Sequence, residues 1–273
     1  MEPRSDAYAL GLREGDILLK IGAQDIGGLD EKAIQDKLNP LKGAGVKIVY
    51  ISYEDRAQKT IEPVSKEYYK QTVFMKDVPI PGIFCLEIPK FNRMTGEDLL
   101  RFLVYVKERN PQGLILDLRG NPGGPPLAAR EISAFFLKGE DQFAYFQKKG
   151  QDKAELDVPV IPEEYKFNGP VVILVNKESG SAAELFSGVM QQKGRAVLMG
   201  DNTSGQVMLK SMFDLDDKAM LLLITSRGHY SDGRTFSFNG LDPDNKVTAE
   251  YQPDLIKIAA IYLYKVSTGE IKI

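Results

Sequence analysis

The first part of the chain, residues 8–64, has the hydrophobic pattern of a small module built from strands and one helix. An apolar run at residues 17–21 and an alternating run at residues 46–51 are typical of strands, and each follows glycines that mark a turn. Between them, the apolar residues of segment 30–38 recur at helical spacing, with Asp30 in the position of an N-cap. The pattern therefore predicts strand, helix and strand in that order.

From residue 82 onward, apolar strands alternate with helices. The predicted strands are short, mostly apolar runs at positions 83–88, 114–116, 170–175 and 196–199. The predicted helices carry apolar residues every three or four positions, over 95–109, 128–137 and 182–192, with Thr95 as the N-cap of the first. Continuous apolar strands that alternate with helices predict an α/β core with largely parallel pairing.

Two polar stretches interrupt this pattern. Residues 65–79 contain few apolar positions and end in prolines, so they are predicted to connect the two parts of the chain. Residues 139–168 form a second polar stretch within the α/β part, with no predicted strand or helix.

Composition and charge narrow the classes of function. The 273 residues are 43% hydrophobic and 27% charged, which excludes intrinsic disorder, a fibre or a membrane bundle. The length favours two domains, or one domain with a small module. A formal net charge of -3 lacks the basic excess of nucleic-acid-binding proteins, so no nucleic acid is expected as a partner. The apolar runs are shorter than the ~20 residues that span a bilayer, so no transmembrane segment is predicted.

Two residue types occur only once, and this limits the chemistry. Cys85 is the only cysteine, so the chain has no internal disulfide and no cysteine-based metal cluster. His229 is the only histidine, which excludes a metal site with two histidines and makes it the one imidazole open to a serine–histidine mechanism. No metal and no other cofactor are predicted.

Two turns carry residues suited to nucleophilic catalysis. Residues 179–184, with two serines, join a predicted strand to a predicted helix. A hydroxyl at a helix N-terminus lies beside free backbone N–H groups that could hold an oxyanion, although most serines in this position are N-caps. The glycine-rich turn at residues 120–124 follows another core strand. Because the carboxyl ends of parallel strands share one edge of a sheet, the two turns are predicted to form one site.

These motifs, in this order, resemble the C-terminal processing peptidases, also called tail-specific proteases. The resemblance rests on residues 113–124, 179–184 and 240–244 and covers roughly residues 5–248. It implies an α/β fold whose layered peptidase core is similar to crotonase and ClpP, preceded by a small PDZ-like α+β module. The implied domains are the N-terminally incomplete PDZ-like module, the peptidase core, and a C-terminal helix and strand, at residues 1–75, 76–250 and 251–273.

The resemblance also implies a site and a function. In this family, a serine of the Ser-x-Ser-Ala-x-Glu turn is the nucleophile, and backbone N–H groups form the oxyanion hole. Carried over by motif, the nucleophile is Ser181 and the oxyanion donors are the amides of Ala182, Gly123 and Gly124. The implied function is a serine endopeptidase that cleaves proteins near their C-termini. Its expected partner is a protein or peptide with an accessible C-terminus, its expected location is the periplasm or another extracytoplasmic space, and an oligomer is compatible with the resemblance.

The general base departs from the family pattern. The family's lysine is followed four residues later by a glutamine that orients it, whereas here Gln206 stands at the lysine position and Lys210 at the glutamine position. A glutamine amide cannot take a proton from serine at useful pH, so one interpretation is an inactive pseudo-peptidase that binds peptides or a partner protein. The other is an active Ser181–Lys210 pair oriented by Gln206, because residues i and i+4 of a strand point to the same face.

Other charged residues suggest further roles. His229 follows a predicted strand and has Asp232 and Asp242 close to it in the sequence, so a triad with the serine is a third arrangement. Asp117 and Arg119 are predicted to form a structural ion pair rather than to move protons.

The PDZ-like segment lacks the first strands of that domain and the loop that holds a ligand's terminal carboxylate. One expectation is that a C-terminal strand at residues 270–273 completes the module.

Overall fold

The computed structural model describes residues 6–38, 44–64, 71–216, 219–247 and 253–271. The chain forms two compact units, Met1–Lys70 and Gln71–Ile273. The α-helices of the described residues are α1 (Asp6–Ala9), α2 (Glu31–Leu38), α3 (Thr95–Lys107), α4 (Pro126–Ser133), α5 (Ala182–Gln192) and α6 (Leu255–Ser267).

The strands of the first unit are β1 (Ile17–Ile21), β2 (Gln24–Asp25), β3 (Ile48–Ile51) and β4 (Gln58–Ile61). The strands of the second unit are β5 (Phe74–Lys76), β6 (Ile83–Glu87), β7 (Gly113–Asp117), β8 (Gln142–Gln147), β9 (Lys153–Asp157), β10 (Val171–Val175), β11 (Val197–Gly200), β12 (Met208–Asp216), β13 (Ala219–Tyr230) and β14 (Asn245–Lys246).

The first unit is a four-stranded antiparallel sheet in the order β2-β1-β3-β4, with α1 and α2. Asp30 caps α2 as predicted, because its carboxylate accepts a hydrogen bond from the Ala33 N–H at 2.7 Å. The pattern predicted β1, α2 and β3 but missed β2 and β4, which are short, polar and mostly exposed. Assignment of this unit as a PDZ-like module stays a prediction.

The second unit contains a six-stranded sheet in the order β14-β11-β10-β7-β6-β5. All neighbouring pairs are parallel except β5 with β6, so the predicted α/β core with largely parallel pairing is confirmed. β5 lies within the stretch 65–79 that was expected to be a connection, and residues 65–70 lie outside the described residues.

Helices cover both faces of this sheet. The side chains of β10 alternate between two clusters, because Val171, Ile173 and Val175 face one and Val172 and Leu174 face the other. The first cluster includes buried residues of α3, α4 and α5, and the second includes buried residues of α6. Burial on both faces explains why the strand carries no polar residue.

A second sheet of this unit is antiparallel, in the order β12-β13-β8-β9. The expectation that residues 139–168 contain no strand is wrong, because β8 and β9 lie there and Phe143 and Phe146 are buried. The apolar run of β8 is only four residues long and lies among charged residues, so the hydrophobic pattern that predicts a strand is weak there.

Two predicted helix boundaries and the predicted C-terminal strand also differ from the structure. Met94 occupies the N-cap position of α3, and the hydroxyl of Thr95 instead accepts a hydrogen bond from the Asn92 N–H at 2.9 Å. α4 begins at Pro126 and ends at Ser133, before the predicted end at residue 137. Glu270 and Ile271 form no strand, because their N–H groups bond to the Lys265 carbonyl at the end of α6, and residues 272–273 lie outside the described residues.

None of the described helices is both long and apolar enough to cross a membrane.

Candidate active site

Ser181 lies at the turn between β10 and α5. Its backbone has φ +52° and ψ −114°, a conformation that residues with a side chain rarely adopt. Ser181 is partly exposed, whereas the hydroxyl of Ser179 is buried and donates to the Leu118 carbonyl at 2.8 Å. Strained backbone concentrates at functional sites, so Ser181 is the serine of this turn that is available for chemistry.

The glycine-rich turn after β7 packs directly on the Ser181 turn. The Gly180 N–H donates to the Asn121 carbonyl at 2.9 Å. A Cβ built on Gly123 would lie 2.7 Å from the Ser181 Cβ and 2.8 Å from the Ala182 nitrogen. Only glycine permits so close an approach, and the φ of Gly123, +99°, also favours glycine. The structure therefore brings the two turns together.

Two backbone N–H groups at this junction, those of Ala182 and Gly124, have no hydrogen-bond acceptor among the described residues. The Gly123 N–H was also predicted to be an oxyanion donor, but it already donates to the Asn121 side-chain oxygen at 2.8 Å. The Asn121 amide is held by the Ile88 carbonyl at 2.6 Å, so this arrangement is buried and fixed. The available donors of the predicted set are therefore Ala182, at the N-terminus of α5, and Gly124.

Replacing Gly123 with alanine is expected to reduce the free energy of unfolding by about 3 kcal/mol, because the new methyl overlaps the Ser181 turn and the positive φ remains unfavourable. Gly194→Ala is the matched control, because Gly194 also has a positive φ, +62°, but nothing lies within 4 Å of its Cβ position. The control should lose about 1 kcal/mol. Urea unfolding measures both, and equal losses would contradict the close packing of the two turns.

The buried carboxylate of Glu184 connects the Ser181 turn to the segment after β11. Its two oxygens accept five hydrogen bonds of 2.6 to 3.2 Å, from the N–H groups of Ser181, Gly205 and Gln206 and from the hydroxyls of Thr203 and Ser204. Only 1% of Glu184 is exposed, and these bonds offset the cost of burying its oxygens. Sequence analysis missed this residue, although a glutamate three residues after a serine is the spacing of a capping box.

The Glu184 carboxylate also limits the distance between the backbones of Ser181 and Gln206. The nitrogens of Ser181 and Gln206 lie 2.9 Å and 2.7 Å from the same oxygen, Oε2. The two nitrogens are therefore no farther apart than the sum of these distances, 5.6 Å. The backbone of Gln206, at the position of the family's lysine, lies beside the candidate nucleophile.

The third motif of the sequence, residues 240–244, supports this segment. The Leu241 N–H donates to the Thr203 hydroxyl at 2.7 Å, and that hydroxyl donates in turn to Glu184. A Cβ on Gly205 would lie 2.0 Å from the Phe238 carbonyl oxygen, so the two segments touch through their backbones. The described contacts give residues 240–241 a structural role in positioning residues 203–206.

Lys210 lies farther along the chain and is exposed. The expectation that Gln206 and Lys210 share one strand is wrong, because β12 begins at Met208. The Lys210 side chain forms no hydrogen bond or ion pair with any described residue, and its backbone belongs to the β12–β13 ladder. It pairs with Ile224 of β13 next to a register shift between Leu209 and Lys210. Directly opposite residues of an antiparallel pair share one face, so Lys210 lies on the face that carries Ile224.

The described contacts of His229 do not include the triad partners that were considered. Its Nδ1 lies 3.2 Å from the Thr235 hydroxyl, and its ring stacks on Tyr145 with centroids 4.7 Å apart. The Asp232 carboxylate binds Arg234 and Gln192, and that of Asp242 binds Lys246 at 2.7 Å. The two carboxylates of this third arrangement therefore bind partners other than His229.

Asp117 and Arg119 form the predicted structural pair. Arg119 donates through Nε to Asp117 Oδ1 at 2.9 Å and through Nη2 to Oδ2 at 2.7 Å. The hydrogen bond to Asp117 raises the pKa of the Arg119 guanidinium. This bidentate geometry confirms the prediction that the two residues act as a pair.

The single cysteine, Cys85, is buried, and burial raises the pKa of its thiol to about 12. The thiolate required of a cysteine nucleophile is therefore strongly disfavoured. In the described part of the chain, no group of three or more His, Cys, Asp or Glu side chains could hold a metal ion.

Comparison with known proteins identifies a family that covers this part of the chain. The model of the family described as "Peptidase family S41" matches residues 82–247, which is more than half of the chain. The carboxy-terminal processing protease CtpB of Bacillus subtilis (strain 168) is 23% identical over 262 residues, covering 95% of this chain and 53% of the relative. CtpA of the same strain is 26% identical over 260 residues, covering 93% and 53%. The chain thus spans about half the length of the curated relatives that it matches.

Solved structures show the same fold. The photosystem II D1 C-terminal processing protease has a TM-score of 0.57 at 19% identity, covering 95% of this chain and 69% of that chain. A putative peptidase from Parabacteroides merdae ATCC 43184 has a TM-score of 0.63 at 23% identity, covering 75% and 68%. These similarities establish the mixed α/β peptidase fold.

Proposed function

The chain belongs to peptidase family S41, and we propose that it is a serine endopeptidase that cleaves polypeptides near their C-termini with Ser181 as its nucleophile. The observation that carries this proposal is the junction of the two turns. The partly exposed Ser181, held at a positive φ, packs against Gly123, and the N–H groups of the next residues, Ala182 and Gly124, have no acceptor among the described residues. This combination of nucleophile and free amides suits acyl transfer.

In the proposed reaction, Ser181 Oγ forms a bond to the carbonyl carbon of the scissile peptide and gives its proton to the base. The amides of Ala182 and Gly124 stabilise the oxyanion of the tetrahedral intermediate. Collapse of this intermediate breaks the C–N bond, and the protonated base gives its proton to the leaving amine. A water molecule, deprotonated by the same base, then attacks the acyl carbon, the ester C–O bond breaks, and the protonated base returns the proton to Ser181 Oγ.

We assign the base to Lys210, with Gln206 as the residue that orients it. A lysine serves as a base where its surroundings exclude water. Lys210 is exposed on β12, so this assignment requires a bound peptide to cover it and bring the amine to Ser181. Support for the assignment comes from the 5.6 Å limit between the nitrogens of Ser181 and Gln206, because Gln206 lies two residues before the start of β12.

A second candidate function is a pseudo-peptidase that binds peptides or a partner protein without cleaving them. It is favoured by the position of Gln206, whose backbone adjoins Ser181 and whose side chain cannot accept the serine proton. Under this alternative, the exposed Lys210 is a solvated strand residue.

Lys210 separates the two functions. Lys210→Ala is expected to slow acylation of Ser181 by a serine-directed acylating reagent by about 10² to 10⁴-fold, because the general base is lost. Lys257→Ala, which removes an exposed lysine from α6, is the matched control and should leave the rate unchanged. Intact-protein mass spectrometry over time gives both rates.

The exchanged double variant, Gln206→Lys with Lys210→Gln, restores the residue order of the family. If the wild type is a pseudo-peptidase, Lys210→Ala will leave its low rate of acylation unchanged and the double variant will acylate faster. That pair of results would overturn the assignment of Lys210 as the base.

The substrate and location belong to the same proposal. We expect a protein or peptide with an accessible C-terminus as substrate, and a periplasmic or other extracytoplasmic location. Both rest on the resemblance to the processing peptidases.

A further inference from the structure

A positively charged cleft lies beside the candidate active site in the second unit. It has a volume of about 640 Å³ and is bounded by the turn after β8 and by residues 224–229 of β13. Its charged lining consists of Lys148, Lys149 and Arg227, all exposed. Phe238 and Ile224 add apolar surface.

Carboxylates do not balance these cations. No aspartate or glutamate lines the cleft, and none of its three cations forms an ion pair with a described residue. By contrast, a cleft of about 500 Å³ at the ends of the parallel strands is lined by the acids Glu87, Asp117 and Asp201 as well as by two cations. In a chain whose net charge is -3, the unbalanced cleft is a local region of positive potential.

The cleft is suited to a peptide rather than to a small inorganic anion. The Arg227 guanidinium lies 4.8 Å from the centroid of the Phe238 ring, so charge and apolar surface are presented together. Thr225 and Ser226 add hydroxyl groups to the same lining. Binding sites for polypeptide segments combine apolar contact with a few placed polar groups in this way.

Two connections place the cleft next to Ser181. The carbonyl oxygen of Phe238 adjoins Gly205, whose N–H binds Glu184. Arg227 pairs across the sheet with Met208, two residues beyond Gln206. The Ser181 and Gln206 nitrogens are at most 5.6 Å apart. An extended peptide therefore covers the distance from Ser181 to Arg227 in about five residues.

We propose that this cleft recognises carboxylates of the polypeptide substrate within about five residues of the scissile bond. The carboxylates come from acidic side chains or from the free C-terminus of the substrate. The proposal rests on the proposed peptidase function, since it names the substrate class of the same site. Lys148, Lys149 and Arg227 are specificity-determining residues and take no part in the proton transfers.

Binding to the full chain carrying Ser181→Ala tests the cleft without cleavage. The probe is a dodecapeptide of alanine and leucine with three glutamates in its last six residues and a neutral dye at its N-terminus. A second probe has glutamine in place of glutamate, and a third has a C-terminal amide. Fluorescence anisotropy at low salt is expected to show binding of the glutamate acid about tenfold tighter than its weakest counterpart.

Charge-removing variants locate the effect. Lys148→Gln with Lys149→Gln, and Arg227→Gln, are each expected to remove most of the preference, whereas Arg227→Lys retains it. The matched control is Lys257→Gln with Lys265→Gln, which removes two exposed lysines from α6 and should leave the preference unchanged. If the peptide with the C-terminal amide loses most of the affinity, the terminal carboxylate is the ligand. If the peptide with glutamine loses most of the affinity, the acidic side chains are the ligand.

Equal affinity for all three peptides, or equal preference in the cleft and control variants, would overturn the proposal. Acylation of Ser181 by a small neutral reagent separates this failure from failure of the proposed function. If wild type is acylated but shows no carboxylate preference, the cleft proposal alone is wrong. If the preference is present without acylation, the cleft is the binding site of the pseudo-peptidase alternative.

Discussion

Ser181→Ala is expected to abolish covalent labelling by a serine-directed acylating reagent and to lower the rate of peptide cleavage by about a million-fold. The reason is that no other described hydroxyl combines partial exposure, a positive backbone φ and adjacent free amides. Residual cleavage would come only from substrate binding and the oxyanion donors. Mass spectrometry of the intact protein measures labelling, and chromatography of a peptide digest measures cleavage.

The control for this prediction is Ser187→Ala. Ser187 lies on α5 and its buried hydroxyl has no hydrogen-bond partner among the described groups, so its removal costs little. The Ser187→Ala protein should be labelled at the wild-type rate. Labelling that survives Ser181→Ala, or that is lost equally in both variants, would show that Ser181 is not the nucleophile.

Glu184→Ala is expected to have the largest effect on stability, a loss of about 4 kcal/mol in the free energy of unfolding. The substitution leaves five donors without their buried acceptor, among them the N–H groups of Ser181 and Gln206. For a protein of this size, the midpoint of thermal unfolding should fall by about 10 °C. Acylation of Ser181 should slow as well, because its turn loses the bond that connects it to residues 203–206.

Glu178→Ala is the matched control, because Glu178 is an exposed glutamate of the same turn. It should change the free energy of unfolding by less than about 0.5 kcal/mol. Glu184→Gln keeps the volume and one oxygen acceptor, so its effect should lie between those of the two alanine variants. Calorimetry and urea unfolding give the comparison, and a Glu184→Ala protein as stable as the control would refute the role of the carboxylate.

Local patterns were sufficient for the elements of the parallel sheet. β10 (Val171–Val175) is buried on both faces and therefore continuous in apolar residues, and α5 begins and ends where its spacing predicts. Patterns failed where a strand is mostly exposed or where its short apolar run lies among charged residues. β4 is mostly exposed, and β8 contributes buried residues from a stretch dominated by charges.

The candidate site, like the fold, could be predicted from the sequence only in part. Its motifs pointed to Ser181 and the glycine-rich turn, since a reacting serine and a close backbone approach each require particular residue types. The occupied N–H of Gly123 could not be predicted, because Asn121 can bond to many groups and only the folded turn selects one. The start of β12 at Met208, after Gln206, likewise depends on pairing with β13.

The sequence by itself determined the α/β core, the family and the motif that contains Ser181, because these depend on hydrophobic period and on residue identity at fixed spacing. Only the tertiary structure decided which amides are free, what Glu184 binds, and which cations line the cleft near Ser181. The bonds of Glu184 to the hydroxyl of Thr203 and to the N–H of Gln206 join residues 19 and 22 positions apart. Contacts of this kind depend on how separate loops pack against each other, and the spacing of residues along the chain does not specify that packing.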